Sequence, residues 1–316
     1  MILVTGATSW IGEEVVRQLV ASGMSVKAFH DANADLSRLR AISNQIVFIQ
    51  GDILDVTDIY EAVDGVHGVF HCAVINERAS AMYEQRMKYN VEGTANVINA
   101  MLYHQVPKVI FFSTLSALGI EPGKVADENT KAEKNEWTTE QALSYLLAER
   151  EIWRGSVEGL DVSVINSADV LVPDLKGNHL LSETVNALKS GSADIYPSDI
   201  YYVSLKDLVL LSLKIYHQEE WNKRWLAIGG NEHMLHFYQK VSGKYPSQWQ
   251  PRIMKKSAVF FKVVKDFVIS TFTGKNRRYR RVHGKRLMAA MKYDSTYTTS
   301  VFGIEWTSLN DILAGK

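Results

Sequence analysis

The segment Thr5-Gly6-Ala7-Thr8-Ser9-Trp10-Ile11-Gly12 has the make-up of an anion cradle. It follows the β-type run 2–4 and leads into an amphipathic helical pattern at 11–22. In that setting Gly6 permits a tight turn and Gly12 lets the helix pack on the strand. The helix N-terminus then offers unpaired N–H groups and a partial positive charge to a pyrophosphate. Thr8, Ser9, Trp10 and Ile11 lie in the same turn. At the end of the next strand, Asp31 would accept adenosine ribose hydroxyls and repel a 2′-phosphate, which favours NAD over NADP. The alternative is a solvated aspartate opening the loop 31–35. The run Lys275-Asn276-Arg277-Arg278-Tyr279-Arg280-Arg281, extended by Lys285-Arg286, is the densest charge in the chain. It reads as a solvated loop, a seat for an anionic substrate, or a contact for acidic lipid head groups. His233 and His236, beside Glu232, have a spacing that can bind metal, but no metal is assigned to them.

These residues need a scaffold, and the first half of the chain supplies its signals. Short β-branched runs at 2–4, 25–29, 46–49, 69–71 and 108–112 alternate with helical patterns at 11–22, 58–63 and 82–103. A helix at 138–153 and a strand at 161–165 continue the series. Such alternation implies right-handed crossovers and a doubly wound parallel α/β sheet. After Ser167 the rhythm changes, so residues 1–166 read as a dinucleotide-binding domain and 167–316 mainly as a smaller substrate lobe. Residues 200–217 return to the first domain, with Ser204 and Asp207 placed as a helix N-cap and its acidic N3 partner. Residues 257–272 read as an amphipathic helix covering a core or pocket, with Lys262, Lys265 and Asp266 on its polar face.

Composition narrows the classes. The 316 residues carry 35 basic and 35 acidic side chains, so no global charge points to nucleic acid. The lone cysteine, Cys72, excludes an intramolecular disulfide framework and suits a reducing, cytoplasmic setting as a buried thiol. No signal peptide or membrane-spanning run is expected.

Later segments add to the glycine loop in order: Gly51-Asp52-Ile53-Leu54-Asp55, Val69-Phe70-His71-Cys72-Ala73, Asn90-Val91-Glu92-Gly93-Thr94, Ile228-Gly229-Gly230 and Phe302-Gly303-Ile304-Glu305-Trp306. With them the chain resembles the extended short-chain dehydrogenase/reductase superfamily. The layout is most similar to its dihydroflavonol reductase and 3β-hydroxysteroid dehydrogenase branch and to the sugar epimerase/dehydratases. The resemblance implies a Rossmann-type fold that binds NAD or NADP. It assigns Asp52 and Ile53 to the adenine, Cys72 and Ala73 to the cofactor ribose, and Asn90 to the fourth helix beside it. Ser9 departs from the family pattern, which has glycine there. A side chain at that point narrows the backbone's approach to the pyrophosphate. Asn166-Ser167 stands where many relatives have Arg-Pro, and Gly229-Gly230 where they have a strand-to-helix turn. Relatives also pair through two helices equivalent to 82–103 and 138–153, which implies a homodimer.

The resemblance further implies three catalytic side chains. One is a Ser or Thr after the fifth strand, here Ser113 or Thr114. The others are a Tyr and, four residues on, a Lys. That spacing shares one helical face, where an ammonium lowers a phenol pKa of about 10. The run Ser144-Tyr145-Leu146-Leu147-Ala148-Glu149 resembles the family's Ser-Lys-x-x-Ala-Glu. It sets Gln141 at the Tyr position and Tyr145 at the Lys position. Gln141 has no usable proton. Tyr145 can donate a hydrogen bond but brings no charge, and a packed helix residue is its alternative reading. The literal Tyr202-x-x-x-Lys206 falls too far downstream to replace them. Lys131 or Lys134 are the nearby sources of charge.

The sequence therefore predicts a dinucleotide-binding member of this superfamily, degenerate at its Tyr/Lys pair. It would bind a small lipophilic or anionic molecule, with chemistry that is lost or not redox. The alternatives are an active reductase or epimerase/dehydratase using Thr114 and Tyr145, and a non-catalytic interaction scaffold. Contact with a membrane surface stays open as a partner reading.

Overall fold

The structure is a computed structural model that describes residues 1–75, 83–175, 179–191, 193–245, 250–273 and 281–315. Its strands are β1 (Ile2–Thr5), β2 (Val26–His30), β3 (Ile46–Gln50), β4 (Gly68–His71), β5 (Lys108–Thr114), β6 (Val125–Ala126), β7 (Asp161–Ser167), β8 (Asp169–Leu171), β9 (Asp194–Ile195), β10 (Asp199–Ser204), β11 (Lys223–Ala227), β12 (Gly230–His233), β13 (Arg252–Ile253) and β14 (Lys292–Tyr293). Its helices are α1 (Trp10–Ala21), α2 (Val56–Val63), α3 (Tyr83–Met87), α4 (Gly93–Tyr103), α5 (Glu140–Val157), α6 (Leu180–Lys189), α7 (Leu205–Gln218), α8 (Met234–Lys244), α9 (Lys256–Thr273), α10 (Arg281–Leu287), α11 (Thr296–Phe302) and α12 (Leu309–Ala314).

Seven parallel strands form the main sheet in the order β3-β2-β1-β4-β5-β7-β11. All four residues of β1 are buried, as a central strand covered on both faces requires. The two-residue pleat divides its side chains between two cores. Ile2 and Val4 join Val15, Val16 and Leu19 of α1 and Leu208 and Leu211 of α7. Leu3 faces the opposite way, with Ile59 of α2, Val97 and Ile98 of α4 and Ile152 of α5. The strand order reverses between β1 and β4, which opens a crevice at their carboxyl ends. A third core gathers Leu181, Val185, Phe237, Val241 and Ile312 around the small sheet β12-β10-β8.

Several expectations change in detail. The helix read as 82–103 begins within the described residues at Tyr83 and is interrupted by a π-turn at Lys88–Glu92. Ser204 does cap α7 by accepting from the Asp207 N–H at 3.0 Å. The Asp207 carboxylate does not complete a capping box: it accepts from the N–H and hydroxyl of Thr307 at 2.8 and 3.0 Å. Gly229 and Gly230 lead first into β12, and α8 starts only at Met234. Residues 275–280 of the basic run lie outside the described residues, while Arg281, Lys285 and Arg286 belong to α10 rather than a loop.

Helix α9 departs from its expected orientation, although Lys265 of the expected polar face is exposed. Val259 packs with Tyr196 and Met254, but Phe260, Phe261, Val264, Val268 and Ile269 are exposed, the two phenylalanines at 64% and 69%. Lys262, assigned to the outer face, points inward to Asp194 beside Arg252. Burial alone would raise the Asp194 carboxyl, but Lys262 and Arg252 together hold it below the usual carboxylate range. The Lys262–Asp194 pair ties this side of α9 to β9.

Candidate functional site

The carboxyl edge of the main sheet gathers the candidate residues. Thr5 stands level with Phe29 and His71, and His71 level with Phe111, so the turns after β1, β2, β4 and β5 emerge side by side. Gly6 adopts φ +62°, and a Cβ on it would lie 2.7 Å from the Cα of Ala73. A Cβ on Gly12 would lie 2.2 Å from the Gly6 carbonyl oxygen. These two contacts press the turn against the Cys72-Ala73 backbone and against α1, with no room for side chains. Ser9 is the N-cap of α1, and its hydroxyl accepts the Gly12 N–H at 3.0 Å. The first-turn N–H groups of Trp10 and Ile11 remain as donors for an anion. The serine therefore answers one of the donors that a glycine at this point would leave to the ligand.

Trp10 spans two parts of the molecule. The Arg38 guanidinium lies 3.3 Å over its ring, and His179, the N-cap of α6, meets its edge with centroids 5.4 Å apart. Thr8 is half-buried beside it.

Asp31 and Asp52 follow β2 and β3. Partial burial raises the Asp31 carboxyl, Asp52 adds to that effect, and His30 opposes it. Tyr89 lies within reach of the same two carboxylates; burial first, then Asp31 and Asp52, push its phenol well above the ordinary range. Asp52 accepts from the Leu54 N–H at 2.9 Å, and Ile53 is wholly buried. Cys72 is buried, which drives its thiol pKa well up. At the end of β4, His71 Nδ1 meets Thr5 Oγ1 at 2.7 Å and its Nε2 meets Thr94 Oγ1 at 2.9 Å. Complete burial lowers its pKa to about 3. Asn90 sits in the π-turn, a feature often found at functional sites. It accepts from the Ile75 N–H at 2.7 Å and donates to Ser144 Oγ at 3.1 Å. It thereby fastens the loop after β4 to α5.

The end of β5 is organised differently. Ser113 Oγ donates to Glu149 Oε1, so the serine faces inward. Asn166 donates to the same oxygen at 2.7 Å and to the Thr114 carbonyl at 2.9 Å. Arg224 meets Glu149 Oε2 at 2.8 Å, with the two side chains only 9% and 1% exposed. Thr114, half-buried, caps the turn that follows and accepts from Ser116. Of the two hydroxyl candidates, Thr114 is the one not committed to this buried carboxylate.

Tyr145 is 4% exposed and packs in the core with Phe111 and Ala117. Burial raises its phenol far above the ordinary value, and Arg86 opposes the shift without reversing it. Gln141 sits half-buried one turn earlier on α5. Neither suggested lysine supplies charge here: Lys131 pairs with Glu133 at 2.8 Å in solvent, and Lys134 is exposed. Tyr202 is buried in β10 while Lys206 projects from α7 into solvent, so they share no face. His233 caps α8 by accepting the Leu235 N–H. Sequence reasoning missed Arg86, which is 2% exposed on α3. Its signal was its place four residues before Asn90, one helical turn away.

Comparisons with known proteins agree with this architecture. Residues 3–156 match the model of the 3-beta hydroxysteroid dehydrogenase/isomerase family. Cinnamoyl-CoA reductase 1 of Petunia hybrida is 30% identical over 259 residues, covering 75% of this chain and 74% of that protein. Sterol demethylase protein B of Methylococcus capsulatus is 25% identical over 315 residues, covering 97% and 94%. The fold of MoeE5, solved in complex with UDP-glucose and NAD, superposes with a TM-score of 0.76 at 18% identity, covering 99% of this chain and 96% of that one.

Proposed function

Because the chain belongs to the 3-beta hydroxysteroid dehydrogenase/isomerase family of extended short-chain dehydrogenase/reductases, we propose that it binds a nicotinamide dinucleotide and handles a small lipophilic or anionic molecule without Tyr/Lys-assisted hydride transfer. Bound, such a cofactor supplies a hydride donor or acceptor. The chain's own contribution is to hold it: the first turn of α1 takes the pyrophosphate, and Asp31 takes the adenosine ribose. Asp31 would put negative charge where a 2′-phosphate sits, which favours NAD over NADP. The names of two relatives, for a cinnamoyl thioester reductase and a sterol demethylase component, lend support to an apolar substrate.

The observation that carries the catalytic half is Tyr145. Its phenol is in the core, and burial favours the neutral form. The Tyr position itself holds Gln141. Removal of general acid–base assistance costs about 10²–10⁴-fold in rate, so positioning alone can still accelerate a reaction. A homodimer belongs to the same reading, since Tyr103 and Val157, at the ends of α4 and α5, are exposed.

Titration of the purified chain with NADH tests the proposal. Saturable quenching of tryptophan fluorescence, with no NADH oxidation across a broad panel of carbonyl compounds, supports it. Steady oxidation that survives Gln141→Ala and disappears with Tyr145→Phe would replace it with the active reductase. Absence of any thermal shift at millimolar NAD or NADP would leave the interaction scaffold.

A further inference from the structure

Helix α9 presents apolar side chains to solvent, while one of its lysines, Lys262, turns to the protein. Phe260, Phe261, Val264, Val268 and Ile269 recur at spacings of three and four on its outer side, and Ile253 of β13 is exposed nearby. The helix is held in this rotation by the Lys262–Asp194 pair and by α10, where Gly284 comes so close that a Cβ there would lie 2.9 Å from Val263. Chance exposure of single apolar residues is normal; a contiguous rigid stripe marks an interaction surface.

Charge indicates the occupant. Residues 252–286 contain twelve of the 35 Lys and Arg side chains and one of the 35 Asp and Glu. The rest of the chain therefore carries 23 basic against 34 acidic residues. Lys255 and Lys265 are exposed beside the apolar stripe. Two copies meeting through this face would oppose like charges, so a second chain is a poor occupant. An interfacial helix with aromatic anchors and flanking basic residues is matched instead by anionic head groups over an apolar interior. No helix among the described residues is long and apolar enough to cross a membrane, so the contact would be peripheral.

We propose that the outer face of α9 docks this protein on an anionic lipid bilayer, with Phe260 and Phe261 entering the interface and Lys255 and Lys265 meeting the head groups. This docking does not depend on nucleotide, and a chain that ignored NADH would still show it. Flotation of the full chain with vesicles provides the test. Binding is expected to phosphatidylcholine–phosphatidylglycerol vesicles and to be lost in high salt. It should weaken at least about tenfold on phosphatidylcholine alone. Phe260→Ser with Phe261→Ser, and separately Lys255→Glu with Lys265→Glu, should each weaken it about tenfold or more with the melting temperature unchanged. No flotation with either vesicle overturns the proposal. So does unimpaired flotation of the serine double variant, which would make the contact one of charge alone. Concentration-dependent dimerisation that the serine variant abolishes would assign the face to a second copy and also overturn it.

Discussion

The turn after β1 and the end of β5 lie along the same edge of one sheet, yet they direct their polar groups oppositely. The turn after β1 excludes side chains at Gly6 and Gly12 and points the amides of the first helical turn outward. The end of β5 draws Ser113, Asn166, Glu149 and Arg224 into a network closed upon itself. Groups that satisfy one another in a low-dielectric interior stabilise and specify the fold, but they have little left to offer a substrate. The contrast separates an edge that leaves backbone donors outward from one whose polar side chains satisfy one another.

Three perturbations sharpen that contrast. Glu149→Ala leaves the Arg224 guanidinium uncompensated in the interior. Loss of one partner of a buried pair costs about 3–5 kcal/mol, to be read as a lower urea midpoint with an unchanged slope. If the variant melts like the wild type but no longer shows tryptophan quenching by NADH, the network serves the ligand and the contrast fails.

The second perturbation is acid. The folded pKa of His71, about 3, lies below its ordinary value of 6.5, so between them the unfolded chain binds more protons. The stabilising contribution is complete above about pH 6.5 and declines as pH falls toward 3, by up to about 1.4 kcal/mol per unit. Urea titrations at stepped pH would show this decline, and His71→Asn should flatten it. A decline as steep in the variant would assign the acid sensitivity elsewhere.

The third is small. Ser9→Ala removes the cap of α1 at a cost of about 1 kcal/mol, whereas Ser9→Gly costs a few tenths. Calorimetric titration with NADH should find the glycine variant binding at least as tightly as wild type. Weaker binding would mean that the hydroxyl itself touches the ligand.

Much of the scaffold was legible because its signals are local. Strand–helix alternation, the Gly6–Gly12 spacing and the Ser204 cap each depend on a few neighbouring residues. What escaped depends on partners distant in sequence. Arg224 and Asn166 are 58 residues apart, and nothing near Ser113 announces that it will face a buried carboxylate. The periodicity of α9 defined two faces but not which was inside; the group that meets Lys262, Asp194, lies 68 residues earlier. Arg86 was passed over because charged residues are rarely buried, though its helical register with Asn90 held the clue.

Trp10 carries one more consequence. Its indole is held by Arg38, from the segment joining β2 and β3, and by His179 at the start of α6. Any movement of one part against the other would have to slide an imidazole across an indole edge. Whatever stiffens the first turn of α1 should be felt some distance away, as slower hydrogen exchange in the opening turn of α6.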